Sequence, residues 1–141
     1  MNDPYDLDRF VRAQDLEASY ERACEELRCG HKTGHWMWFI FPQIAGLGQS
    51  PTSKQYAISS LEEAKAYLMH PILGPRLLEC ANGIAATENR SAPQILGDVD
   101  AQKLRSSMTL FLKAAPECVV FMQVLNRYFS GIPDPLTEEL T

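Results

Sequence analysis

Residues 98–131, DVDAQKLRSSMTLFLKAAPECVVFMQVLNRYFSG, decide the fold class. Leu104, Met108, Phe111 and Leu112 recur at the spacing of one helix face, with Asp98 or Asp100 ahead of them as a cap. Pro116 then opens a second helical run, in which Val119, Val120, Met122, Val124, Leu125 and Phe129 recur until Gly131 closes it. Neither run alternates with a period of two, and the rest of the chain follows the same pattern.

Upstream, Pro93 to Leu96 forms a short helical turn that stops at Gly97. Before it, Pro71 stands at the first position of a helix carrying Ile72, Leu73, Leu77, Cys80, Ala81 and Ile84 and ending near Thr87. Ser60 and Glu63 fit a capping box opening a helix through Ala64, Tyr67 and Leu68 that ends near His70. At the start of the chain, Asp6 caps a helix through Leu7, Phe10 and Val11. A further stretch runs through Leu16, Tyr20, Cys24 and Leu27 to a stop at Gly30. Downstream, Pro133, Asp134 and Pro135 make a turn from which Asp134 caps a terminal helix. Only Trp36 to Phe41 resembles a strand. The expectation is a mainly α, compact, single-domain, bundle-like fold over residues 1–141, with at most a minor strand element.

Length and charge narrow the function. At 141 residues there is room for one domain, and the scaling of surface with mass gives roughly 7,300 Å² exposed on folding. The net charge of −5 supplies no basic field for a nucleic-acid backbone, so bulk nucleic-acid binding is disfavoured. No apolar stretch approaches a bilayer span and the first ten residues lack a secretory pattern, so a soluble cytoplasmic protein is expected, with no membrane partner. Cys24, Cys29, Cys80 and Cys118 form no C-x-x-C pair and no zinc spacing, so no metal is expected. Alternating βαβ units, G-x-G-x-x-G and the P-loop pattern are absent, and no cofactor is implied.

The helical period fails between Gly30 and Tyr56, GHKTGHWMWFIFPQIAGLGQSPTSKQY, which holds both tryptophans. Long ordered loops in compact domains are disproportionately functional. Trp36 and Trp38 can wall a planar ligand or plug the core; Lys32, His35, Gln43, Ser50 and Tyr56 are the polar groups that would orient such a ligand. A second constellation lies on the helix after Asp100, where Arg105 and Ser106 suit a phosphate or carboxylate, or form a solvated face. The carboxylates available for acid–base work are Glu62, Glu63 and Asp134, of which Glu63 and Asp134 also fit structural roles as a box partner and a cap. The histidines His31, His35 and His70 build no nucleophilic triad.

Five blocks carry a family resemblance: FVRAQ at 10–14, the 30–50 segment containing HWMWFIFPQ, YAISSLEEAKAYLMHPILGPRL at 56–77, KLRSSMTLF at 103–111 and FSGIPDPLT at 129–137. Together they resemble the bacterial domain-of-unknown-function family 1810 over nearly the whole chain. More distantly the chain resembles the YbiA-like (NADAR) superfamily, whose members cleave N-glycosidic bonds of ribosylated heterocycles or act in ADP-ribose metabolism. That resemblance implies a compact, mostly helical fold. The superfamily's P-T-S-E-H-Y motif finds its nearest match in Pro51-Thr52-Ser53-Lys54-Gln55-Tyr56, with Lys54 at the position of the catalytic glutamate. A cation there opposes the positive charge that develops as a glycosidic bond breaks. Two readings follow. One is a hydrolase of nucleotide-derived or ADP-ribose-linked N-glycosides whose acid is Glu62, Glu63 or Asp134. The other is a non-catalytic module that binds a nucleotide-like small molecule, or a protein-interaction domain.

Overall fold

The computed structural model describes residues 3–141, and its axis is α8 (Asp98–Ala114). Every residue from Ser106 to Phe111 is buried, because α5 (Leu61–Met69), α7 (Ala92–Leu96), α9 (Val119–Phe129) and α10 (Pro135–Leu140) pack around this helix. α6 (Leu73–Ala85) packs against α5, α9 and α2 (Ser19–Cys29), and α1 (Asp8–Asp15) leans on α2 and on α3 (Met37–Ile40). α4 (Pro51–Gln55) completes the helical set. A chain of rings crosses the core: Phe10 to Tyr67 at 5.2 Å, Tyr67 to Phe111 at 5.4 Å and Phe111 to Phe121 at 5.9 Å between centroids. The accessible surface of 7336 Å² is what the mass scaling requires. The fold is therefore mainly α, as the periodicities imply.

Several boundaries differ from the sequence expectation, each for a local reason. Trp36–Phe41 is not a strand; its centre winds into α3, and the only β pairing among the described residues is one parallel bridge between Ile44 and Ile58. Asp6 does not cap α1, because its own backbone is left-handed (φ 52°). Asp3 takes the role, accepting from the N–H groups of Leu7 at 2.8 Å and Asp8 at 3.0 Å. α6 starts at Leu73 rather than Pro71, with His70 Nδ1 accepting from the N–H groups of Ile72 and Leu73. Neither Asp98 nor Asp100 caps α8, which begins directly after Gly97, and α9 begins at Val119 rather than Pro116. Gly30 does end α2 in the left-handed conformation, and Asp134 does cap α10 through Thr137 N–H at 2.9 Å.

The capping box at Ser60 is half formed. Ser60 Oγ accepts from Glu63 N–H, but the Glu63 carboxylate turns away to Arg9 and Ser59. Its Oε2 pairs with Arg9 Nη2 at 3.0 Å, and its Oε1 accepts from Ser59 N–H and Oγ, both at 2.8 Å. Arg9 in turn donates to the carbonyls of Tyr5, Asp6, Gln55 and Ala57. The ion pair therefore ties α1 to the end of the Gly30–Tyr56 segment and to α5. Removing one member strands the other in a buried site, with Glu63 only 2% exposed. Glu63→Gln is expected to lower unfolding free energy by about 3 kcal/mol, with Arg9→Ala a similar or larger loss. Urea denaturation of both variants measures this directly.

Candidate functional site

The segment after α2 is held by one carboxylate. Glu26, in the last turn of α2, accepts from Thr33 N–H at 2.7 Å, Gly34 N–H at 2.9 Å, Thr33 Oγ1 at 2.9 Å and Trp36 Nε1 at 2.8 Å. Burial acts to raise the Glu26 pKa, but these donors together outweigh it and bring the carboxyl to about 2. Trp36 is thereby drawn into the core, where it is 2% exposed. Lys32 follows from the same turn: its ammonium pairs with Asp100 Oδ2 at 2.8 Å and lies 5.2 Å from the Trp36 ring centroid. Asp100 also holds Lys103 at 3.1 Å, and Lys103 Nζ sits 3.7 Å from the centroid of Trp38. Burial works to raise the Asp100 pKa, yet the bonds from Lys32 and Lys103 leave it below the usual carboxylate range.

Beyond α3 the chain doubles back on itself. Ile58 N–H donates to Gln43 O and Ala45 N–H to Ile58 O, each at 2.8 Å, around the Ile44–Ile58 bridge. Ser50 caps α4 through Ser53 N–H, with Pro51 at the first helical position. Gly48 is pressed onto this helix: a Cβ there would stand 2.5 Å from Ser53 Cβ, so only glycine fits.

Two adjoining hollows open beside this bridged loop, of about 260 Å³ and about 310 Å³. Both are walled by Trp38, Gln43, Leu47 and Gly48. The first continues to Ser53, Lys54 and Tyr56, and the second to Gln102, Lys103, Ser106 and Asp134. In the shared wall, Gln43 Nε2 is buried with no hydrogen-bond partner among the described residues. A buried donor left unmade costs about 1–3 kcal/mol, which a ligand acceptor would recover. Asp134 caps α10 through Oδ2, which also accepts from Thr137 Oγ1 at 2.6 Å; among the described residues Oδ1 has no protein donor.

The structure thus gathers Trp38, Gln43, Tyr56, Ser106 and Asp134 from the candidate residues into one cleft, with Lys54 at its first half. It places the others elsewhere. Trp36 plugs the core, Lys32 is committed to Asp100, Ser50 caps a helix, and His35 is exposed and lines neither hollow. Arg105 fastens the C-terminal turn, with Nε 2.9 Å from Ile132 O and Nη2 3.0 Å from Pro133 O. Glu63 is buried in its pair with Arg9 and lines neither hollow. Sequence reasoning missed Glu26 and the pairing of Asp100 with Lys32, whereas the Asp100–Lys103 pair follows from their spacing on one helix. One signal for Glu26 was available: a carboxylate in the last turn of a helix opposes the macrodipole, so it needs donors from the segment that follows.

The chain matches the family described as protein of unknown function (DUF1810) over residues 4–141. Among solved structures it is similar to the conserved hypothetical protein Rv1873 from Mycobacterium tuberculosis, with 51% identity and a TM-score of 0.95 over 98% of this chain and 97% of that one. No curated protein matches it. No helix of the described residues is long and apolar enough to cross a membrane.

Glu26 makes loop order depend on pH. Its carboxyl is held at about 2, below the ordinary glutamate value of 4.5, so the stability it adds is complete above pH 4.5 and is lost as pH falls through about 2. Glu26→Gln is expected to be less stable than the parent by about 1–2 kcal/mol near neutral pH, after screening at a partly exposed site. The gap should close progressively between pH 4.5 and about 2, as read by urea titrations followed through tryptophan emission.

Proposed function

The chain belongs to the DUF1810 family, and from that premise we propose that its cleft takes a small nucleotide-derived metabolite, a ribosylated or ADP-ribosylated heterocycle. The observation that carries this reading is the unpartnered Gln43 Nε2 in the wall common to both hollows. It is a donor looking for a carbonyl or ring nitrogen, beside an indole able to pack on a planar group. Lys54, lining the first hollow, favours an anionic substituent there, whereas Lys103 in the second is already paired with Asp100. The hollows are sized for a small molecule rather than a polymer.

The reaction we assign to this site is hydrolysis of an N-glycosidic bond, on the resemblance of residues 51–56 to the YbiA-like motif. Water adds to the anomeric carbon, the C–N bond breaks, and the heterocycle leaves with the bonding electrons and gains a proton. Asp134 is the carboxylate of the cleft that could stabilise the developing positive charge and take the proton of the attacking water. Lys54 supplies no such help, and it favours the second reading, a module that binds the same ligand without cleaving it. Glycosidases of the common kind use two carboxylates, and Glu63 is committed to Arg9.

Titration with ADP-ribose, NAD, ribose phosphates and ribosylated purine and pyrimidine intermediates, followed by thermal shift and mass spectrometry, separates these readings. A ligand at about 100 times its Kd adds about 2.7 kcal/mol, a rise of several degrees. Gln43→Leu should abolish that rise while leaving the unliganded midpoint unchanged or higher, since it removes an unmade buried donor. Asp134→Asn keeps the helix cap and should slow any cleavage by about 10²–10⁴-fold. If Gln43→Leu and Trp38→Ala both retain the full shift, the cleft is not the binding site.

A further inference from the structure

The two hollows of the cleft differ in what their free groups can hold, and Lys103 is the reason. Its ammonium lies 3.7 Å from the centroid of the Trp38 ring and is kept there by Asp100 at 3.1 Å. Lys103 lines the second hollow and not the first, so the face of the indole that a flat group would use in the second hollow is already covered. A flat group therefore belongs in the first hollow. There Trp38 and the half-buried Tyr56 supply two aromatic walls, and Gln43 Nε2 is a buried donor without a partner. The charge of that hollow is Lys54, exposed and in no ion pair among the described residues. Given a ribosylated heterocycle in the cleft, the premise on which this rests, we propose that the ligand is the N-riboside of a heterocyclic carboxylate. Lys54 meets the carboxylate carried on the ring, and Gln43 meets a ring carbonyl.

The second hollow suits the sugar. Its polar side chains include Gln102, Ser106 and Asp134. Ser106 Oγ gives its proton to Gln102 O at 3.1 Å, which leaves its lone pairs to accept, and Asp134 Oδ1 has no protein donor among the described residues. Acceptors of this kind take the hydroxyl groups of a ribose. They are a poor setting for a phosphate on that sugar. Lys103 is spent on Asp100, which also holds Lys32, and the charge left free in this hollow is the Asp134 carboxylate. The anion that Lys54 favours thus sits on the ring and not on the sugar. A ring without the carboxylate leaves the Lys54 ammonium to water, so the discrimination is that of one charge-assisted bond at a partly wet site, about tenfold in affinity.

Titration calorimetry of the full chain with uridine, orotidine and orotidine 5′-monophosphate tests this assignment. Uridine lacks the ring carboxylate, and the monophosphate adds a second anion on the sugar. Orotidine is expected to bind about tenfold more tightly than uridine, with no gain from the phosphate. Lys54→Met should bring orotidine down to the affinity of uridine, and Lys54→Arg should keep the preference. The inference alone is overturned, with the cleft still a nucleoside site, by any of three results: uridine and orotidine bind alike, Lys54→Met keeps the preference, or the phosphate rather than the carboxylate brings the gain. If none of the ligands binds, or if Gln43→Leu binds them as the parent does, the assignment of the cleft itself falls and takes this inference with it.

Discussion

The carboxylate of Glu26 is the constraint on which the cleft depends. A long irregular segment can run through a small domain only if its backbone N–H groups find acceptors, and no sheet ladder is present here to supply them. Glu26 meets the first of these groups, at Thr33 and Gly34, and captures the Trp36 indole with the same oxygens. Once Trp36 is buried, Trp38 two residues on is carried out of the core to the wall of the cleft. At the far end Arg9 does the complementary work, giving all its guanidinium nitrogens to carbonyls and to Glu63. One anion organises donors and one cation organises acceptors, and between them the loop takes a single course.

Helix α8 joins this loop to the core. Its middle is enclosed on every side, which accounts for Ser106, Ser107 and Thr109 on a helix whose neighbours press close. Ser106 and Thr109 satisfy their hydroxyls on the carbonyls of Gln102 and Arg105. Thr109 Oγ1 then donates nothing further and instead receives Asp134 N–H at 2.8 Å, while Arg105 grips the two carbonyls just before it. The C-terminal turn is thus fixed to α8, and Asp134 with it. The first turns of the same helix reach the other way, where Asp100 binds Lys32 and Lys103. A cleft assembled from side chains locked in this manner is formed before any ligand arrives.

The helices were legible because each buries one stripe, and Leu104, Met108 and Phe111 or Val120, Val124 and Leu125 repeat at the interval that a stripe demands. Capping chemistry was legible where a short side chain acts on its own turn, as Ser60 and Asp134 do. It failed where the acceptor came from outside that turn: Asp3 in place of Asp6, and His70 ahead of Leu73. Among the site residues, Trp38, Gln43, Tyr56, Ser106 and Asp134 were singled out by type and came together. Lys32, Arg105 and Glu63 were singled out on the same grounds and met charged or carbonyl partners within the protein. Residue type announces that a group can bind; it does not say to what.

By itself, the sequence determined the mainly helical class, the order of the principal helices and the stop at Gly30; α9 ends one residue earlier than Gly131 suggests, on left-handed Ser130. All of these are matters of period and local backbone preference, written within a few residues of where they act. Tertiary structure decided which tryptophan faces the cleft, which carboxylate is spent on an ion pair, and that residues from 38–57, 102–106 and 134 line adjoining hollows. Those outcomes turn on contacts between groups far apart in the chain, such as Arg9 with Glu63 and Lys32 with Asp100. The geometry of such contacts is set by helix packing, and neither spacing nor composition encodes it locally.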